Sequence, residues 1–207
     1  ASVCSATSRW FVYPRRMTHG TEAFQGTIGR TVEESEPWWP EPSLPPAGTP
    51  NVVMILMDDT GIAHLNCFGG PIDTPNFDRL ANGGLRFANF HTTALCSPSR
   101  ACLLTGRNHH AVGMRAISNF DTGFPNMRGR IAPEAATIAE MLGPKGWSTF
   151  CVGKWHLAPI MEASTAGPFH NWPLQKGFDR FYGFMQGETD HFHPDLCADN
   201  HPIEQPA

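Results

Sequence analysis

Six apolar residues in a row, Val52-Val53-Met54-Ile55-Leu56-Met57, run straight into Asp58-Asp59-Thr60-Gly61. A run without polar alternation suits a strand covered on both faces, as in a parallel sheet lying between helices. Further along, Thr74-Pro75 reads as an N-cap and first helical position, with the helix continuing to Gly83-Gly84. Apolar Leu85, Phe87 and Phe90 predict a second strand over residues 85–93. A helix from Ser97 or Pro98 to Gly106 follows. Pro133 opens another over residues 134–142, and Gly143-Pro144 stops it. Residues 147–152 are the next strand. Strands and helices alternating at this spacing predict an α/β fold with a largely parallel central sheet.

Outside this core the pattern changes. Residues 1–50 read as an extended Pro-rich arm, because Pro37, Pro40, Pro42, Pro45, Pro46 and Pro50 prevent regular helix, while Trp38 and Trp39 offer anchors. Beyond Gly153 the periodicity dissolves into Gly, Pro, His and aromatic residues. A loop-rich stretch of roughly 50 residues predicts a lid, a binding surface or a piece whose packing partner is absent.

Composition narrows the classes. With 207 residues, 41% of them hydrophobic, the chain has material for one large or two small domains with a sizeable core. The formal charge of -4 argues against a nucleic-acid partner held through phosphate neutralisation. No run of 18 apolar residues predicts a membrane span. The six Cys (4, 67, 96, 102, 151 and 197) are scattered without a Cys-x-x-Cys pair and do not read as a disulfide scaffold. The first 16 residues, with Arg15 and Arg16, lack the apolar core of a secretory signal. Both features favour a reducing, cytoplasmic compartment.

Two constellations carry chemistry. Asp58 and Asp59 end the first strand, where open α/β sheets bind ligands. Adjacent carboxylates there suit a cation, and Asp-Asp-Thr-Gly is equally good turn chemistry. Two Asp alone are too few for Ca²⁺, which takes 6–8 oxygens. The second constellation is Ala94-Leu95-Cys96-Ser97-Pro98-Ser99-Arg100-Ala101-Cys102-Leu103-Leu104-Thr105-Gly106. Cys96 precedes a helix whose dipole and free N–H groups favour an anion, and Arg100 lies one turn on. The spacing is too short for a thiolate phosphatase loop, and a structural Cys packed under a helix start reads as well.

The motif Cys96-x-Pro98-x-Arg100, followed by Ala101-Cys102-Leu103-Leu104-Thr105-Gly106-Arg107, resembles the signature of the type I, formylglycine-dependent sulfatases. Gly146-Trp147-Ser148-Thr149-Phe150-Cys151-Val152-Gly153-Lys154-Trp155-His156 is similar to that family's second signature, with Trp147 a departure from it. Gly177-Phe178-Asp179-Arg180-Phe181-Tyr182-Gly183 and the Asp58-Asp59 strand fit as well. Gly187-Glu188-Thr189-Asp190 is a weaker match. The resemblance implies an alkaline-phosphatase-like sandwich, of which residues 51–207 supply the first half. It implies hydrolysis of sulfate monoesters of the aryl sulfate type. Cys96 would be converted by a formylglycine-generating enzyme to Cα-formylglycine, whose hydrate attacks sulfur and then expels sulfate. A divalent cation, Ca²⁺, would be held by Asp58, Asp59 and the oxygen at position 96. Arg100 and Lys154 would hold developing charge, and His156 would orient or deprotonate the diol.

Two clusters read as background. His109-His110 suits a surface loop. Asp190, His191, His193, Asp195, Cys197, Asp199 and His201 lack the i, i+4 spacing of a helical metal motif. The resemblance also implies a later Asp-Asn pair, a second His, a second Lys and a C-terminal sheet domain that these 207 residues lack. The expectation is therefore an N-terminal portion that is inactive alone. Two alternatives share the motif: a phosphonate monoester or phosphodiester hydrolase, and a non-catalytic remnant with unmodified Cys96.

Overall fold

The computed structural model describes residues 23–41 and 43–206. Residues 1–22 of the expected arm, with Cys4, Arg15 and Arg16, lie outside the described residues, as does Pro42. In the remainder of the arm Thr27 and Glu36 exchange backbone hydrogen bonds of 2.9 Å each, and Phe24 meets Trp38 edge-on at 6.3 Å.

Helix α1, Pro75–Gly83, starts where Thr74-Pro75 places it, and its first-turn Asp78 accepts from Asn66 Nδ2 at 2.8 Å. Helix α2, Cys96–Thr105, buries Ser97, Pro98, Ala101 and Thr105 along one face. Gly106 ends it in the left-handed conformation (φ 65°), its N–H donating to Cys102 O at 2.8 Å. Helix α3, Ile138–Leu142, is shorter than the expected 134–142. The reason is a capping box at Thr137: its hydroxyl accepts from Glu140 N at 3.1 Å while Glu140 Oε2 accepts from Thr137 N at 2.7 Å. The helix starts after that cap and leaves Pro133 in a preceding turn.

One four-stranded sheet follows, in the order β1-β2-β3-β4. Strand β1, Phe150–Lys154, runs parallel to β2, Arg180–Phe184, with Phe150 opposite Arg180 and Lys154 opposite Phe184. The two-residue strands β3, Cys197–Ala198, and β4, His201–Pro202, complete it in antiparallel pairings. The sheet is therefore mixed, with one parallel pairing in three, and corrects the largely parallel sheet expected from sequence. The α/β class stands. The strand expected at 147–152 is displaced towards the C-terminus, to Phe150–Lys154, because its register follows β2.

Two predicted strands are absent among the described residues. Val52 to Met57 pair with no strand, and these residues are 36–82% exposed. Leu85, Phe87 and Phe90 are likewise exposed and unpaired with any strand. A fully apolar strand is stable only with both faces covered and its edges hydrogen-bonded. Neither condition is met here.

The core instead draws on the part of the chain where periodicity fails. Trp155, Leu157, Trp172, Phe178, Phe181 and Met185 are buried, packed with Val112, Met114 and Ile131. The indoles find partners on the way in: Trp155 Nε1 donates to Asn171 O at 2.8 Å and Trp172 Nε1 to Glu162 O at 2.6 Å. No helix among the described residues is long and apolar enough to cross a membrane.

Candidate active site

Thr93 sets the entry to α2, its hydroxyl lying 2.7 Å from Ser99 Oγ and accepting from Leu95 N at 3.3 Å. Cys96 is then the first helical residue, half-buried at the positive end of the helix. Arg100, one turn on, ties α2 to the end of β1 by donating from Nη1 to Lys154 O at 2.8 Å. Its Nη2 lies 3.5 Å from Asp58 Oδ1, and Lys154 Nζ lies 2.6 Å from Asp58 Oδ2. The Lys154 side chain is only 7% exposed.

Asp58 thus meets two cations. Partial burial opposes its ionisation, but the Lys154 ammonium and the Arg100 guanidinium more than offset this and hold the carboxyl below its ordinary range. Asp59 follows in the left-handed region (φ 49°), which an Asp tolerates in a turn, and Thr60 Oγ1 donates to Asp58 O at 3.1 Å.

His156 follows β1 by two residues. Its N–H donates to Met185 O at 3.0 Å, continuing the β1–β2 pairing, and it too has positive φ, 50°. The residue is buried. Nδ1 lies 3.1 Å from Cys96 Sγ and Nε2 lies 2.7 Å from Asn119 Oδ1. Gly187 lies against the ring's edge: a Cβ there would come within 2.7 Å of Cε1, so the position takes only glycine without a shift. Burial first, and then the Lys154 and Arg100 charges, push the imidazole down to about 4, with Asp58 partly opposing. Near neutral pH the ring is uncharged, with one N–H and one bare nitrogen. Cys151, on β1, behaves oppositely: burial pushes its thiol up to about 11 despite Arg100.

A cleft of about 420 Å³ joins Asp58, Asp59, Thr93, Cys96, Ser99 and Arg100. Asp58 and Asp59 are hard oxygen donors of the kind a divalent cation takes, and they supply part of a coordination shell. Among the described residues no group of three or more His, Cys, Asp or Glu is placed to hold a metal ion.

The remaining sequence candidates fall elsewhere. His109 donates from Nδ1 to Met114 O at 3.1 Å, its ring 4.3 Å from that of exposed His110. Asp190 Oδ1 accepts from Phe192 N and His193 N at 2.8 and 2.7 Å, an ordinary turn. Sequence reasoning misses Asn119 and passes over Gly187. A single Asn in a loop carries no motif, and Gly187 offers only the weak Gly187-Glu188-Thr189-Asp190 match.

Residues 50–205 match the sulfatase family model. The chain belongs to the sulfatase family. It is 42% identical to human arylsulfatase A over 139 residues, covering 66% of this chain and 25% of that protein. It is 34% identical to the arylsulfatase of Klebsiella aerogenes over 145 residues, 69% of this chain and 30% of that one. Mouse steryl-sulfatase is 39% identical over 147 residues, 70% and 23%. This sulfatase sequence thus spans between 23% and 30% of the length of these curated relatives. Among solved structures, Ps i-CgsB superposes with a TM-score of 0.58 at 26% identity, over 72% of this chain and 36% of that one. A protein from the metabolism of multiple glycosaminoglycans by Bacteroides thetaiotaomicron gives 0.52 at 32% identity, over 70% and 30%.

Proposed function

We propose that the protein hydrolyses sulfate monoesters, aryl sulfates among them, through a nucleophile made from Cys96. The observation that carries this reading is the 3.1 Å approach of Cys96 Sγ to Nδ1 of His156, with Lys154 and Arg100 beside it. The arylsulfatase and steryl-sulfatase names of the relatives point the same way.

Cys96 stands for the residue that a formylglycine-generating enzyme would convert to Cα-formylglycine, whose hydrate supplies an oxygen nucleophile and a second hydroxyl that releases sulfate. A divalent cation such as Ca²⁺, held in part by Asp58 and Asp59, would supply Lewis-acid polarisation. The protein's own groups do the rest. His156 faces position 96 as a neutral imidazole and can accept a hydroxyl proton there. Arg100 has its Nη1 committed to Lys154 O, while its buried Nε has no hydrogen-bond partner. The Arg100 guanidinium lines the cleft and offers the positive charge that an anionic oxygen needs there. Lys154, nearly excluded from water, adds a second positive charge where an anionic ester must sit.

Mass spectrometry of the tryptic peptide 87–100 tests the reading, using full-length protein co-expressed with a formylglycine-generating system. An aldehyde at position 96 is expected. A persistent thiol would overturn the nucleophile and favour a non-catalytic remnant. Rates on aryl sulfate and aryl phosphonate decide the substrate: sulfate is expected to be faster, and faster phosphonate cleavage would move the assignment to a phosphonate or phosphodiester hydrolase.

A further inference from the structure

A neutral imidazole can serve position 96 as a proton acceptor only if its hydrogen sits on the other nitrogen. In this fold the far nitrogen lies 2.7 Å from Asn119 Oδ1. An amide oxygen only accepts, so Nε2 is the donor, and in the neutral ring Nδ1, 3.1 Å from Cys96 Sγ, is then the bare nitrogen. The loop that carries Asn119 is itself fastened to the start of α2: Ser118 N donates to Ser97 Oγ at 3.1 Å, and Phe120 N closes a turn onto Ile117 O at 3.2 Å. Ser97 is the neighbour of Cys96, so one helix start places both the reacting position and the group that orients its base. Gly187 leaves room for the ring edge here, since a Cβ at that position would come within 2.7 Å of Cε1.

We propose that Asn119 is a positioning residue for His156: its Oδ1 holds the hydrogen on Nε2 and leaves Nδ1 as the acceptor that faces position 96. The assignment rests on the sulfatase reading for its consequence, but its geometry can be read without turnover. The test uses full-length protein labelled with ¹⁵N-histidine at mildly alkaline pH, the His156 signals assigned by their loss in His156→Gln. Nε2 is expected to resonate as a pyrrole-type nitrogen and Nδ1 as a pyridine-type one. Asn119→Ala should mix the tautomers and lower kcat by about 10–100-fold, the range for loss of an orienting partner, with KM held within about twofold. Asn119→Asp keeps an acceptor at the same place and should retain the Nε2–H tautomer and restore kcat towards wild type. A hydrogen on Nδ1 in the wild type would overturn the proposal. So would an Asn119→Ala protein that keeps both tautomer and kcat, or one whose loss lies in KM alone. The expected tautomer in a protein that cleaves no sulfate ester would support the Asn119 assignment while overturning the sulfatase reading.

Discussion

Cys96 starts α2 and His156 follows β1, and both have chain neighbours in the core. Helix α2 buries Ser97, Pro98, Ala101 and Thr105, and Trp155 and Leu157 are buried on either side of His156. Asp58 and Asp59 instead end a segment whose six apolar residues are exposed and pair with no strand. The first half of the site is positioned by packing. The second is joined to it through the ion pairs of Asp58 with Lys154 and Arg100. The Asp58 side chain is 40% exposed, and ion pairs that open to water contribute only about 0–1 kcal/mol once screened. Packing therefore fixes Cys96 against His156, whereas the exposed acidic corner is joined to them by charge pairing.

Substitutions put this contrast at risk. In the full-length protein Cys96→Ala should lower aryl sulfate turnover by at least about a thousand-fold, as loss of a nucleophile does, with an unchanged circular dichroism spectrum. Turnover near wild type would remove Cys96 from the packed half's chemistry. Trp172→Ala, at a fully buried position, should cost about 3–5 kcal/mol in urea denaturation; a loss under about 1 kcal/mol would show that this core is not what holds the packed half. Lys154→Ala removes both the charge beside the cleft and the shortest tie to Asp58. It should lower kcat by about a hundred-fold, and wild-type kcat would show that neither matters to the reaction. Asp58→Asn should weaken Ca²⁺ binding by calorimetry roughly tenfold; unchanged affinity would free Asp58 of the metal role. Val53→Ser, on the exposed run, should shift the stability of this 207-residue chain by no more than about 0.5 kcal/mol. A loss as large as that of Trp172→Ala would mean that the run is covered in solution.

Part of this arrangement is legible in the amino-acid sequence. The start of α1 at Pro75, the start of α2 at Cys96 and its stop at Gly106 follow from local rules, because capping and helix termination are settled within a turn or two of chain. Two short signatures single out Cys96, Arg100, Lys154 and His156, which the fold brings together. The length of α3 is not legible from its prolines, because Thr137 with Glu140 outcompetes Pro133 as the cap. The core after β1 escapes pattern reading because its Trp and Phe residues enter from turns, where no period of 2.0 or 3.6 operates.

The order of residues dictates which chemistry is available: a Cys at a helix start, an Arg one turn on, a Lys and a His two residues apart at a strand end. Which of those groups meet, and which apolar residues are covered, is decided in three dimensions. Asn119 reaches His156 across 37 residues, and nothing in either local sequence specifies that bond. The loop that carries Asn119 is held there by Ser118 N, which donates to Ser97 Oγ at the start of α2. Val52 to Met57 form an unbroken apolar run and stay open. Hydrophobicity is a property of a side chain, whereas burial requires a neighbour to provide the other surface.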